Sequence, residues 1–149
     1  MRDPAGRLLV TGQFAAIAYL LATTHWPSLS WGAGLLLGSS LFLAAWSFSA
    51  LRPGSFNIRP ALRKGARLVK SGPYRYVRNP MYGSVLLAGG GVLFVNCSLW
   101  RALTGLLLTL IVLVKVWLEE RLLAEKFGAD YESYKARTGL FLPTFWLRR

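Results

Sequence analysis

The chain has 149 residues, a length that suits one domain, 1–149. Hydrophobic residues make up 54% of it, mean hydropathy is +0.39, and 16% of residues are charged against about a quarter in soluble domains, so an ordinary soluble protein is excluded and an all-α integral membrane protein is expected. The net charge of +12 does not indicate nucleic acid, because the basic residues flank apolar runs; they suit anionic lipid headgroups instead.

The first apolar run, 8–24, follows Arg2 and Arg7 and is broken by Thr11, Gly12 and Gln13. It is near the lower limit for a transmembrane helix. A cleaved signal peptide is the competing reading, and the lack of a small-residue cleavage site after the run favours a retained helix. Trp26, Pro27 and Trp31 bracket a short uncharged turn that also holds His25, the sole histidine, read as an interfacial polar side chain. The second span is predicted over 31–51, where Gly38, Ser39 and Ser40 permit close helix approach.

The composition then switches. Between 52 and 78 lie Arg52, Arg59, Arg63, Lys64, Arg67, Lys70, Arg75 and Arg78, with no acidic residue, which by the positive-inside rule makes this loop cytoplasmic. Its second half is bounded by Pro73 and Pro80, which fix their own φ and push Gly72 and Asn79 out of the helical region, so 70–82 is expected to be a shaped loop. A basic connector between membrane helices is the plainer reading of the same stretch.

The apolar run 81–118 would extend about 57 Å as one helix, nearly twice the hydrocarbon thickness of about 30 Å, so it must fold back as a hairpin. Spans are predicted over 81–96 and 100–118, with a turn around Asn96–Arg101 on the far side and Trp100 as an interfacial anchor. Gly89, Gly90 and Gly91 in the first arm suggest tight packing, or close approach of a ligand to backbone. Beyond 118, the spacing of Leu118, Leu122, Leu123 and Phe127 predicts that the last span continues as an amphipathic helix ended by Gly128. Tyr131, Tyr134, Phe141, Phe145 and Trp146 suit the headgroup layer. The result is four spans with both termini cytoplasmic and Arg101 as the outer basic residue.

Cys97, the lone cysteine, cannot pair within the chain, and no Cys/His cluster offers a metal site. No nucleophile and base pair or phosphate-cradling glycine loop is evident. The residues that need explaining are Lys115, Glu119 and Glu120 at the mouth of the hairpin. Lys115 and Glu119 share a helix face, so an end-of-helix ion pair is one reading. Their depth favours another, a substrate or ion path.

The run Gly72-Pro73-Tyr74-Arg75-Tyr76-Val77-Arg78-Asn79-Pro80-Met81-Tyr82, then a hairpin, Glu119-Glu120, Phe127-Gly128, Tyr131, Tyr134 and Pro143, resembles the membrane methyltransferases. These include isoprenylcysteine carboxyl methyltransferase and the phosphatidylethanolamine N-methyltransferases. The resemblance covers about 66–143; the first two spans carry no signature. It implies S-adenosyl-L-methionine (SAM) as methyl donor, bound at the cytoplasmic end of the last hairpin under the tail, and a lipid or lipid-linked acceptor, carboxylate or amine, entering from the bilayer. It assigns the donor site to Ala66, Arg67, Leu68, Val69, Tyr74, Asn79, Pro80, Met81, Tyr82 and Glu119, and the acceptor to Lys115. No catalytic side chain and no metal ligand is assigned, and no obligatory protein partner is inferred. The family usually has His where this chain has Asn79, which can hydrogen-bond but not titrate near neutral pH. Many bacterial relatives have an arginine near Leu140-Phe141-Leu142-Pro143 that is missing here. These departures keep open a non-enzymatic, lipid-binding accessory protein. A nicotinamide-dependent sterol reductase, whose membrane portion looks similar, is disfavoured by the short chain.

Overall fold

A computed structural model describes residues 4–51 and 68–144. It contains α1 (Pro4–Ala22), α2 (Trp31–Ala50), α3 (Pro80–Val95), α4 (Leu99–Phe127) and α5 (Ala129–Lys135), with 3-10 turns at Trp26–Ser28 and Gly72–Arg75. No strand occurs among the described residues, and one isolated parallel bridge joins Val77 to Gly139.

The helix ends follow local chemistry. The Ser30 and Ser98 hydroxyls accept hydrogen bonds from Ala33 N and Arg101 N, filling donors that the first turns of α2 and α4 leave open. Pro80 begins α3, where its missing N–H costs nothing. α4 stops at Gly128, whose φ of 50° is the left-handed region that glycine tolerates, so the amphipathic extension predicted beyond the last span is present and ends there.

α2 lies along α3 and α1 along α4, while α3 and α4 pack as the hairpin. Ala16 and Leu20 of α1, Val92 of α3, and Leu108, Val112 and Val116 of α4 form the core. The apolar windows of α1, α2 and α4 are only 22%, 17% and 28% buried, so most of their apolar surface has no protein partner and suits a lipid environment. These three helices are long and apolar enough to cross a membrane. α3, expected as a fourth span, has 16 residues and rises about 24 Å, short of the hydrocarbon thickness of about 30 Å. The chain enters it through the Gly72–Arg75 turn, not through further helix. Gly72 has φ 57°, and a Cβ there would come within 2.8 Å of Ala50, so this turn docks flush on the end of α2.

The glycine triplet of α3 divides. A Cβ on Gly91 would meet Leu37 of α2 at 2.9 Å, which is close packing, whereas Gly90 has open space. Two expectations are corrected by burial. Tyr131 and Tyr134, read as headgroup-layer aromatics, are interior, because α5, which carries them, folds back with their side chains turned inward and Tyr134 against the 72–79 segment. Phe141 is half-buried against the core, and Phe145 and Trp146 lie outside the described residues. Arg101 sits at the far end as predicted, yet inside the bundle and not at its rim: its guanidinium donates to the carbonyls of Leu20, Val92 and Asn96 and to the hydroxyls of Thr23 and Thr24.

Candidate functional site

Polar side chains gather at the end of the bundle opposite Arg101. α1 runs antiparallel to α4, so its first half lies beside the second half of α4 and the described ends, 4 and 144, share this end with the 68–79 segment. Glu119 and Glu120 are neighbours on α4, about 100° apart around the helix axis, and they face different partners.

Glu119 faces inward. Its Oε1 accepts a 2.6 Å hydrogen bond from the Tyr82 hydroxyl, on the first turns of α3, and no partner engages Oε2 among the described residues. One turn back, Lys115 is 2% exposed, its ammonium lies 5.3 Å from the Tyr82 ring centroid, and it donates to Gln13 Oε1 of α1 at 2.7 Å. The ion pair allowed by the spacing of Lys115 and Glu119 does not form among the described residues; each binds a different helix instead. Tyr74 completes this side. Burial first, then the neighbouring Tyr134 phenol and Glu119 carboxyl, push its phenol far above the ordinary range, so it stays a hydrogen-bond donor.

Glu120 faces the tail. Its carboxylate accepts from Arg78 Nε at 2.7 Å and from Asn79 Nδ2 at 3.4 Å, with Lys135 at 3.9 Å. Arg78 also donates to the carbonyls of Lys135 and Thr138. Backbone bonds from Arg78 N to Gly139 O, Asn79 N to Leu140 O and Gly139 N to Tyr76 O lay the tail alongside the loop. Tyr134 donates from its hydroxyl to Tyr74 O at 2.7 Å, and burial pushes that hydroxyl up to about 12 against the pull of Arg78. The Tyr131 hydroxyl is buried, close to Glu120 but outside hydrogen-bonding geometry, and has no partner among the described residues.

Of the residues singled out from the sequence, Tyr74, Tyr82, Lys115 and Glu119 converge. Asn79 is adjacent but turns its amide to Glu120. The Pro80 ring is fully buried, Met81, Leu68 and Val69 are half-buried, and Ala66 and Arg67 lie outside the described residues. Sequence reasoning missed Gln13, seen only as a break in an apolar run, and Arg78, counted as one more loop charge. For Gln13 a signal existed: an amide within a span is rare without an interior partner.

Lipid-facing helices around an interior polar cluster, closed by a returning tail, define a membrane protein with a site at one mouth of its bundle. The sequence supplies the particular group: the family profile described as phospholipid methyltransferase matches residues 28–130, and the chain belongs to that family. Among named relatives, methanethiol S-methyltransferase of Pseudomonas deceptionensis is 28% identical over 130 residues, 87% of this chain and 47% of that protein. Methanethiol S-methyltransferase of Pseudomonas sp. (strain GM41(2012)) is 27% identical, with 83% of this chain and 51% of that protein covered. The chain thus spans about half the length of the curated relatives it matches.

Proposed function

We propose that the protein transfers a methyl group from SAM to an anionic nucleophile, a carboxylate or thiolate, on a lipid or lipid-linked acceptor at the cytoplasmic face. The observation that carries this reading is the meeting of Glu119 and Lys115 of α4 with Tyr82 of α3 inside an apolar bundle.

The donor set fits SAM. Glu119 has an oxygen without a partner among the described residues, able to accept from an ammonium or ribose hydroxyl, and the aromatic faces of Tyr74 and Tyr82 suit adenine or a sulfonium. Asn79, Met81, Leu68 and Val69 would complete the wall, with the backbone at Pro80; Ala66 and Arg67 belong to it by family resemblance. When bound, SAM supplies an electrophilic methyl carbon on a positively charged sulfur. The protein's part is alignment and exclusion of water, since in-line displacement needs nucleophile and carbon held together in a dry pocket and calls for no general base when the acceptor is already ionised.

Lys115 decides the acceptor's charge. Protonated, at about 4–5 Å it would favour an anion by about 3–4 kcal/mol at an effective dielectric of about 20, and disfavour an amine, whose methylation builds positive charge, by a similar amount. A small apolar thiol is a second reading, favoured by the names of the relatives. The cytoplasmic assignment rests on the basic 52–78 stretch.

Glu119→Gln tests the donor site. It removes a charge-assisted hydrogen bond of about 1.5–3 kcal/mol, so calorimetry in detergent should show SAM affinity about ten- to a hundredfold weaker, with the folded protein retained. Unchanged affinity would overturn the role of Glu119; no SAM binding by the unaltered chain at millimolar concentration would leave a lipid-binding module.

A further inference from the structure

We infer that Gln13 is a positioning residue that keeps Lys115 away from Glu119, so that the pocket holds one free cation and one free carboxylate instead of a closed ion pair. The inference rests on the donor and acceptor division proposed above, but its geometry does not.

Lys115 and Glu119 stand one turn apart on the same face of α4, the spacing at which lysine and glutamate ordinarily pair. A lysine this close to the end of a span also ordinarily extends towards the interface, which here means towards Glu119. Lys115 does neither. Its ammonium is drawn sideways to Gln13 Oε1 at 2.7 Å, and Gln13 is itself 8% exposed. The helices are close enough for this because of Gly12, where a Cβ would come within 3.2 Å of Ile111 on α4. Glu119 is meanwhile held from the other side by Tyr82. A glutamine suits the task because its carbonyl takes one ammonium proton without adding a charge, leaving two N–H groups for an anion. Gln13 also carries amide N–H groups of its own beside that ammonium, which can add to the same anion. Residue 13 also lies outside 28–130, the stretch matched by the family profile.

Two measurements test it: SAM affinity by calorimetry, and acetylation of Lys115 by acetic anhydride relative to the exposed Lys70, read by mass spectrometry. Gln13→Leu should release Lys115, raising its relative acetylation at least about threefold and, by pairing it with Glu119, weakening SAM binding about tenfold. Gln13→Glu should hold Lys115 in place and return both values to within about twofold of the unaltered chain. Adding Lys115→Met to Gln13→Leu should restore SAM affinity by removing the competitor, a coupling that a merely structural glutamine would not produce. Unchanged acetylation in Gln13→Leu overturns the inference, as does a weakened affinity that neither the glutamate nor the double variant restores. If the unaltered chain binds no SAM while the acetylation contrast holds, the contact stands and the proposed function falls.

Discussion

α4 carries two buried cations, Arg101 near its start and Lys115 near its end, each 2% exposed, and their surroundings differ in kind. All five guanidinium N–H groups of Arg101 are taken: Nε by Asn96 O, one amino group by Leu20 O and the Thr23 hydroxyl, the other by the Thr24 hydroxyl and Val92 O. Those oxygens sit near the C-terminal ends of α1 and α3, where the helix dipoles are negative, so one side chain ties three helices together and leaves nothing over. Among the described residues Lys115 has one oxygen partner, Gln13, and a ring face for its three donors. A buried cation with every donor filled holds structure; one with donors to spare, beside a carboxylate with a free oxygen, is prepared for something else.

The largest effect that would sharpen this contrast is at Arg101. Arg101→Met strips five oxygens of their shared partner inside the bundle and should destabilise the protein by about 3–5 kcal/mol, measured by thermal or denaturant unfolding in detergent, while SAM affinity of the folded fraction stays unchanged. A drop in affinity without loss of stability would show that the far end communicates with the site. Next is Arg78, which ties the tail to the loop through Glu120 and the carbonyls of Lys135 and Thr138. Arg78→Ala should loosen 128–144 by about 1–3 kcal/mol, seen as faster limited proteolysis there with the helical spans still protected. Uniform proteolysis along the chain would mean that Arg78 supports the whole bundle and not the tail alone.

The two cations also show what a sequence can and cannot announce. Helix ends were legible because their causes are local: Ser30 and Ser98 cap, Pro80 starts, Gly128 stops. The hairpin was legible because 81–118 is too long for one crossing. Tyr82 beside Glu119 was an expectation from family resemblance, and the structure puts them 2.6 Å apart. What depended on rotation and contact between distant elements was not legible. Nothing in the order of residues says that Arg101 turns inward, that Glu120 serves the tail while Glu119 serves the site, or that α5 turns Tyr131 and Tyr134 inward. Gln13 lies 102 positions from Lys115, and the family pattern does not reach it.

The smallest stability effect is expected at Lys115, and that smallness is the decisive half of the comparison. Lys115→Met keeps a long, flexible, apolar stem of similar reach among Val112, Val116 and the Tyr82 ring while removing the charge. Replacing a buried charge by a packed apolar side chain is often neutral or stabilising, because the desolvation penalty goes with it. The carbonyl of Gln13 loses its partner, at about 1–3 kcal/mol at most, and can recover part of that by turning its amide. The net change in unfolding free energy should therefore lie within about 1 kcal/mol of zero, far from the Arg101 value. Function should respond oppositely: with methanethiol as the acceptor probe, Lys115→Met should raise acceptor KM about tenfold or more with SAM affinity within about twofold. If instead it unfolds the protein as Arg101→Met does, Lys115 is a second structural staple, and its two spare donors are filled by something other than an acceptor.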